Sequence, residues 1–117
     1  DLNKLWRPPE HRWGFSEARR REIWRALVKA EDRAEMEAKA RYPLPDLFDG
    51  VGDTEQEKRV YEERFDKQGK LIHELRDKFR RAVREQYGIT EKQATAISTE
   101  ASEENWLFPA APEGFWE

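Results

Sequence analysis

Between Thr54 and Gly88 the chain runs for 33 residues with no proline and a single glycine, Gly69. Tyr61, Phe65, Gln68, Ile72, Leu75, Phe79 and Ala82 recur along it at a mean spacing of 3.5 residues, the period of a helix that packs along one seam. At 1.5 Å per residue such a helix is about 50 Å long. The whole chain has 117 residues, and a compact fold of that size is only roughly 35 Å across. A rod of this length must overhang its own fold.

The rest of the chain supplies little to wrap it. Leu, Ile, Val and Phe make up 22 of the 117 residues, while 40% are charged, so aliphatic core is scarce. Five Trp, six Phe and three Tyr compensate with large apolar area. Acids and bases nearly cancel, to a net charge of −3. That near-balance argues against disorder and against a dedicated nucleic-acid binder. With no Cys there are no disulfides, thiolate metal sites or thiol nucleophile. No apolar run is long enough to span a membrane. No export signal is visible either, which sets a cytoplasmic expectation, although Asp1 suggests a trimmed start.

Turn and cap residues divide the chain into one domain of six segments. Residues 1–15 carry Pro8 and Pro9 and read as a non-helical arm with Leu5, Trp6, Trp13 and Phe15 as apolar plugs. Ser16 is an N-cap for a helix over 16–41, whose inner stripe is Ile23, Leu27, Ala30, Ala34 and Ala38, widened by Trp24 and Val28. Pro43 and Pro45 end it and open a loop over 42–53, anchored by Leu44, Leu47, Phe48 and Val51. Thr54 with Glu57 caps the long helix, 54–87, and Gly88 stops it, with Ile89 sealing the stop. Gly69 marks a kink or a close crossing. Thr90 with Gln93 caps a third helix over 90–104 with Ala94, Ile97 and Ala101 inside. Residues 105–117 form an aromatic tail that packs back through Trp106, Phe108, Phe115 and Trp116. The expected fold is therefore all-α: an antiparallel hairpin of two long helices, a shorter third helix, and two aromatic arms dressing them.

Candidate sites follow from these faces. Trp24, Leu27, Tyr61, Phe65, Ile72, Leu75 and Phe79 are expected to form an apolar interface, in a non-catalytic protein that binds itself as a homodimer or serves as an adaptor for another protein. Arg19, Arg20, Arg21, Arg25 and Lys29 form a basic row that suits phosphate, the alternative being a nucleic-acid accessory role. The same row suits an acidic surface, and residues 89–117 hold six acids against one Lys. Glu62, Asp66, His73 and Asp77 share one sector of the long helix, but that sector points away from the seam and also holds Arg59, Lys70 and Arg80. It reads as a solvated salt-bridge face, and no metal or cofactor is expected. The Gly88 corner has the outline of a helix-turn-helix, yet Glu91, Glu100, Glu103 and Glu104 on its second helix would repel DNA. No phosphate-binding loop, nucleophile elbow or zinc-protease motif occurs, so no enzyme activity is expected.

Overall fold

A computed structural model describes residues 11–44, 54–112, 114 and 115, with His11 described by its backbone alone. The plugs and anchors expected at Leu5, Trp6, Leu47, Phe48, Val51 and Trp116 lie outside these residues. A tight reversal opens the described chain: strand β1, His11–Arg12, pairs antiparallel with β2, Phe15–Ser16. Trp13 and Gly14 make the turn, both with positive φ. Helix α1 follows as Glu17–Arg41, then α2 as Glu55–Tyr87 and α3 as Glu91–Glu103.

Each helix starts where a hydroxyl satisfies an amide the helix itself cannot. Ser16 accepts from the Arg19 N–H, Thr54 from Glu57 and Thr90 from Gln93. The Gln93 side chain returns the favour to the Thr90 N–H at 2.8 Å, completing the capping box. α2 stops at Gly88, which adopts the left-handed conformation with φ 65°. The Ile89 N–H then reaches back to the Arg84 carbonyl at 2.9 Å, and Ile89 is buried over the join. α3 ends in the same way. Asn105 takes φ 54°, the Trp106 N–H bonds the Ala101 carbonyl at 2.9 Å, and Trp106 is buried.

α1 and α2 are antiparallel. Arg19 lies over the Tyr87 ring, Glu31 pairs with Arg80, and the Tyr42 carbonyl accepts from Gln68 at 2.9 Å. α3 lies along the first half of α1 in the same direction, with Arg20 meeting Glu100 and Trp24 meeting Trp106. The core therefore collects at one end of the hairpin: Ile23, Trp24, Leu27, Ala30 and Ala34 from α1, Phe79 and Val83 from α2, and Ile89, Ala94, Ile97, Ala101 and Trp106 beyond. Burial of Ile23, Leu27 and Ile97 stabilises this end by about 1.5–3 kcal/mol for each side chain. Further along α1 only alanines line the seam, and Ala34 and Ala38 are fully buried.

α2 is continuous through Gly69, and a Cβ built there meets nothing within 4 Å. The residue therefore marks neither a break nor a close crossing. The expected inner position at Ala82 is exposed, and Val83 is buried instead. A straight helix drifts about 20° per heptad against a strict 3.5-residue repeat, enough to shift the contact by one residue at the end of the stripe. The molecule measures 67 × 30 × 23 Å with a radius of gyration of 19.1 Å, against about 13 Å for a compact chain of this length.

Candidate functional site

The overhang begins where α1 ends. Gln68, buried on α2, donates its side-chain amide to the carbonyl of Tyr42, the cap residue of α1. N-terminal to Gln68, residues 54–67 are all exposed except Tyr61, which is half-buried. At 1.5 Å per residue this is about 20 Å of projecting helix.

Its apolar edge is short and aromatic. The Tyr61 and Phe65 rings stack at 6.5 Å with planes 15° apart, as neighbours four residues apart on a helix can. Phe65 keeps 57% of its surface in water and Val60 keeps 46%. Glu62 and Asp66 flank the two rings and frame a shallow depression with them. Beyond Gln68 the same face sinks into the hairpin. Ile72 and Leu75 are half-buried, and Phe79 is buried beneath the Arg33 guanidinium, which lies 4.2 Å from its ring centre.

The expected interface thus divides in two. Trp24 and Leu27 are buried at 4% and 1% exposure, inside the chain's own core. Trp24 meets Trp106 edge-on at 5.7 Å and Phe108 at 5.1 Å, because the segment after α3 folds back over it. Trp24, Leu27 and Phe79 are therefore not open to a partner. Of the expected interface, Tyr61 and Phe65 are what the fold leaves to one, with Ile72 and Leu75 at the margin.

The basic row is also dispersed. Arg20 is wholly buried, and its Nε donates to Glu100 at 2.6 Å while a terminal nitrogen donates to the Phe15 carbonyl at 2.7 Å. It is unavailable to an external phosphate, a correction to the expected row. Arg12 approaches the second Glu100 oxygen at 3.1 Å, so one buried carboxylate ties the β1–β2 ribbon, α1 and α3 together. Arg19 pairs with Glu22 and lies over Tyr87, whereas Arg21 lies 3.8 Å from Glu17 and covers the Trp106 ring. Arg19, Arg25 and Lys29 are the exposed members of the row.

A second network joins the helices. Arg80 on α2 bonds Glu31 on α1 at 3.1 Å and Glu91 on α3 at 2.8 Å, and Arg84 also holds Glu91. Partial burial pushes the Glu91 carboxyl upward, but the hydrogen bond and charge of Arg80, the charge of Arg84 and the Thr95 hydroxyl outweigh it. The net effect lowers its pKa below the usual glutamate value. Glu62, Asp66, His73 and Asp77 are all exposed, and among the described residues no three His, Asp or Glu side chains converge as a metal would need. A further concavity, lined by Trp24, Ser98, Ser102, Asn105, Trp106 and Phe108, lies between α1 and the C-terminal end of α3.

Sequence reasoning missed the Arg20–Glu100 pair, although helical phase marks both positions. Arg20 lies three residues before Ile23 and seven before Leu27, and Glu100 lies three after Ile97. No family model, no curated protein and no solved structure matches this chain.

Proposed function

We propose that this chain is a non-catalytic docking protein whose working surface is the projecting N-terminal part of α2. The observation that carries the reading is Phe65, more than half exposed and stacked on Tyr61 on an unbroken helix that has outrun its partner helix. Large aromatic side chains held rigidly on a helix and rimmed by charge are the usual energetic centre of an interface. A second apolar helix laid along Tyr61 and Phe65 would remove that surface from water, with the charged flanks setting register and partner choice. The basic row supports a nucleic-acid role less well, since one of its five members is buried and two lie over aromatic rings.

A photoreactive phenylalanine analogue at position 65 tests the reading in cells that make the protein. Discrete adducts are expected at position 65, and none from the same analogue at position 63 on the opposite face. Equal labelling at the two positions, or none at 65, contradicts it.

A further inference from the structure

The segment after α3 is a second exposed surface, independent of the overhang. Residues 106–112, Trp-Leu-Phe-Pro-Ala-Ala-Pro, run on without helix, strand, turn or bend. Covalent geometry explains this. Pro109 and Pro112 have φ fixed at about −65°, and each disfavours the helical conformation in the residue before it, Phe108 and Ala111.

Burial along the strip repeats at every third residue. Trp106 is buried, Pro109 and Pro112 are half-buried, and Leu107, Phe108, Ala110 and Ala111 are exposed. A period of three belongs to the left-handed polyproline II helix, whereas a strand has a period of two. One edge of the strip therefore lies against the molecule. The other two, Leu107 with Ala110 and Phe108 with Ala111, face outward. Both ends are tied down. The Trp106 ring meets Trp24, and the Phe115 N–H bonds the Pro112 carbonyl at 3.0 Å while the Phe115 ring centre lies 5.3 Å from the Lys39 ammonium.

Every outward side chain of the strip is apolar, in a chain of which 40% is charged. Leu107 and Phe108 keep 89% and 75% of their surface in water, more than any other large apolar side chain among the described residues. Among those residues no hydrogen bond engages the backbone of Leu107, Phe108, Ala110 or Ala111. A sheet edge is a poor match for this backbone. Alternate N–H groups of an extended strand point to one side, and each side here holds a proline that cannot donate, Pro109 on one and Pro112 on the other. Grooves walled by aromatic rings instead take the ridges of a polyproline II helix and need no complete row of donors. Charge also favours one kind of groove. Apart from the buried Glu100, residues 93–117 hold four acids and no Lys or Arg, with two acids on either side of the strip.

We infer that residues 107–111 are a preformed polyproline II ligand, and that its occupant is a groove of another protein, lined by aromatic side chains and rimmed by basic ones. The fold holds the strip in the shape the groove takes, so little ordering remains to oppose binding. The alanines let the groove wall approach the backbone carbonyls, and Leu107 and Phe108 supply the apolar anchors.

A photoreactive phenylalanine analogue at position 107 of the full chain identifies the partner in cells that make the protein, and mass spectrometry locates the adduct. The purified partner is then titrated with the full chain. The adduct is expected on or beside an aromatic residue of the partner. Leu107→Ser and Ala110→Lys, on one outward edge, should each weaken binding about tenfold or more. Both positions are exposed, and far-UV circular dichroism checks that the helices are unchanged. Binding should fall as salt rises, and a synthetic peptide of residues 105–113 should compete. Four results overturn the inference: no adduct at 107, an adduct along a sheet edge, a second copy of this chain as the partner, or binding indifferent to both substitutions. Labelling at position 65 reads the overhang separately, so either surface can fail without the other.

Discussion

Arg20 and Glu100 are among the largest fully buried side chains of the described chain, and they bond each other across 80 residues of sequence. Taking two charges out of water costs several kcal/mol for each, so their attraction does little more than offset their burial. Removing one partner leaves the other charge buried and unpaired. Glu100→Leu is therefore expected to lower unfolding stability by about 3–5 kcal/mol. The double variant Arg20→Met with Glu100→Leu should recover most of that loss, as read by urea denaturation. The pair was hard to see in the sequence for a chemical reason. A stripe is recognised by apolar side chains, and an arginine in phase with Ile23 and Leu27 is naturally grouped with the neighbouring Arg19, Arg21 and Arg25. Only the acidic bias after residue 88 hinted at an internal answer for that charge. Asn105 is hard to read from the sequence for a related reason. It performs the left-handed stop that Gly88 performs, but asparagine is a less distinctive marker of that turn than glycine.

At the level of the helices, local chemistry was legible nearly to the residue. Ser16, Thr54 and Thr90 begin α1, α2 and α3, and Gly88 ends α2, because caps satisfy amides and carbonyls that have no other partner. Gly69 shows the limit of reading one residue alone. A glycine in a helix interior suggests a kink or a crossing, and only its surroundings show that neither exists. Its substitution should therefore be favourable. Gly69→Ala is predicted to stabilise the protein by about 0.5–1 kcal/mol, seen as a higher denaturation midpoint at unchanged slope. Destabilisation would mean that another surface approaches the helix there. Trp24 and Leu27 lie on the apolar stripe that periodicity marks, but the chain itself covers them. Periodicity shows which face is apolar and not which segment covers it, and here α3 with Trp106 and Phe108 does so.

On the scale of the whole molecule, the described residues form a three-helix core at one end and a single helix at the other. Arg80 and Glu91 help hold the first end together, and the direction of the Glu91 shift fixes its pH dependence. A carboxyl held below its ordinary value in the folded state stabilises the fold above about pH 4.3. That contribution disappears as pH falls through the folded value. Wild type and Glu91→Gln should therefore differ most in melting temperature near neutrality and converge in strong acid. Asp32 has the opposite sign. Burial, then the nearby charges of Glu35 and Glu31, raise its pKa, so its ionised form opposes folding at neutral pH. Asp32→Asn should raise the melting temperature near neutrality and lose that advantage as the wild-type carboxyl protonates. The overhang itself was legible from length alone, because 33 helical residues cannot be matched by 25. Its position was not, since that depends on where Tyr42 meets Gln68.

Amide hydrogen exchange of the purified chain in dilute solution addresses the central claim most directly. If the overhang stands open to a partner, amides of residues 57–66 exchange quickly. Residues 75–87, already packed against α1, should be protected. Protection across 57–66 equal to that across 75–87 would contradict an open docking edge.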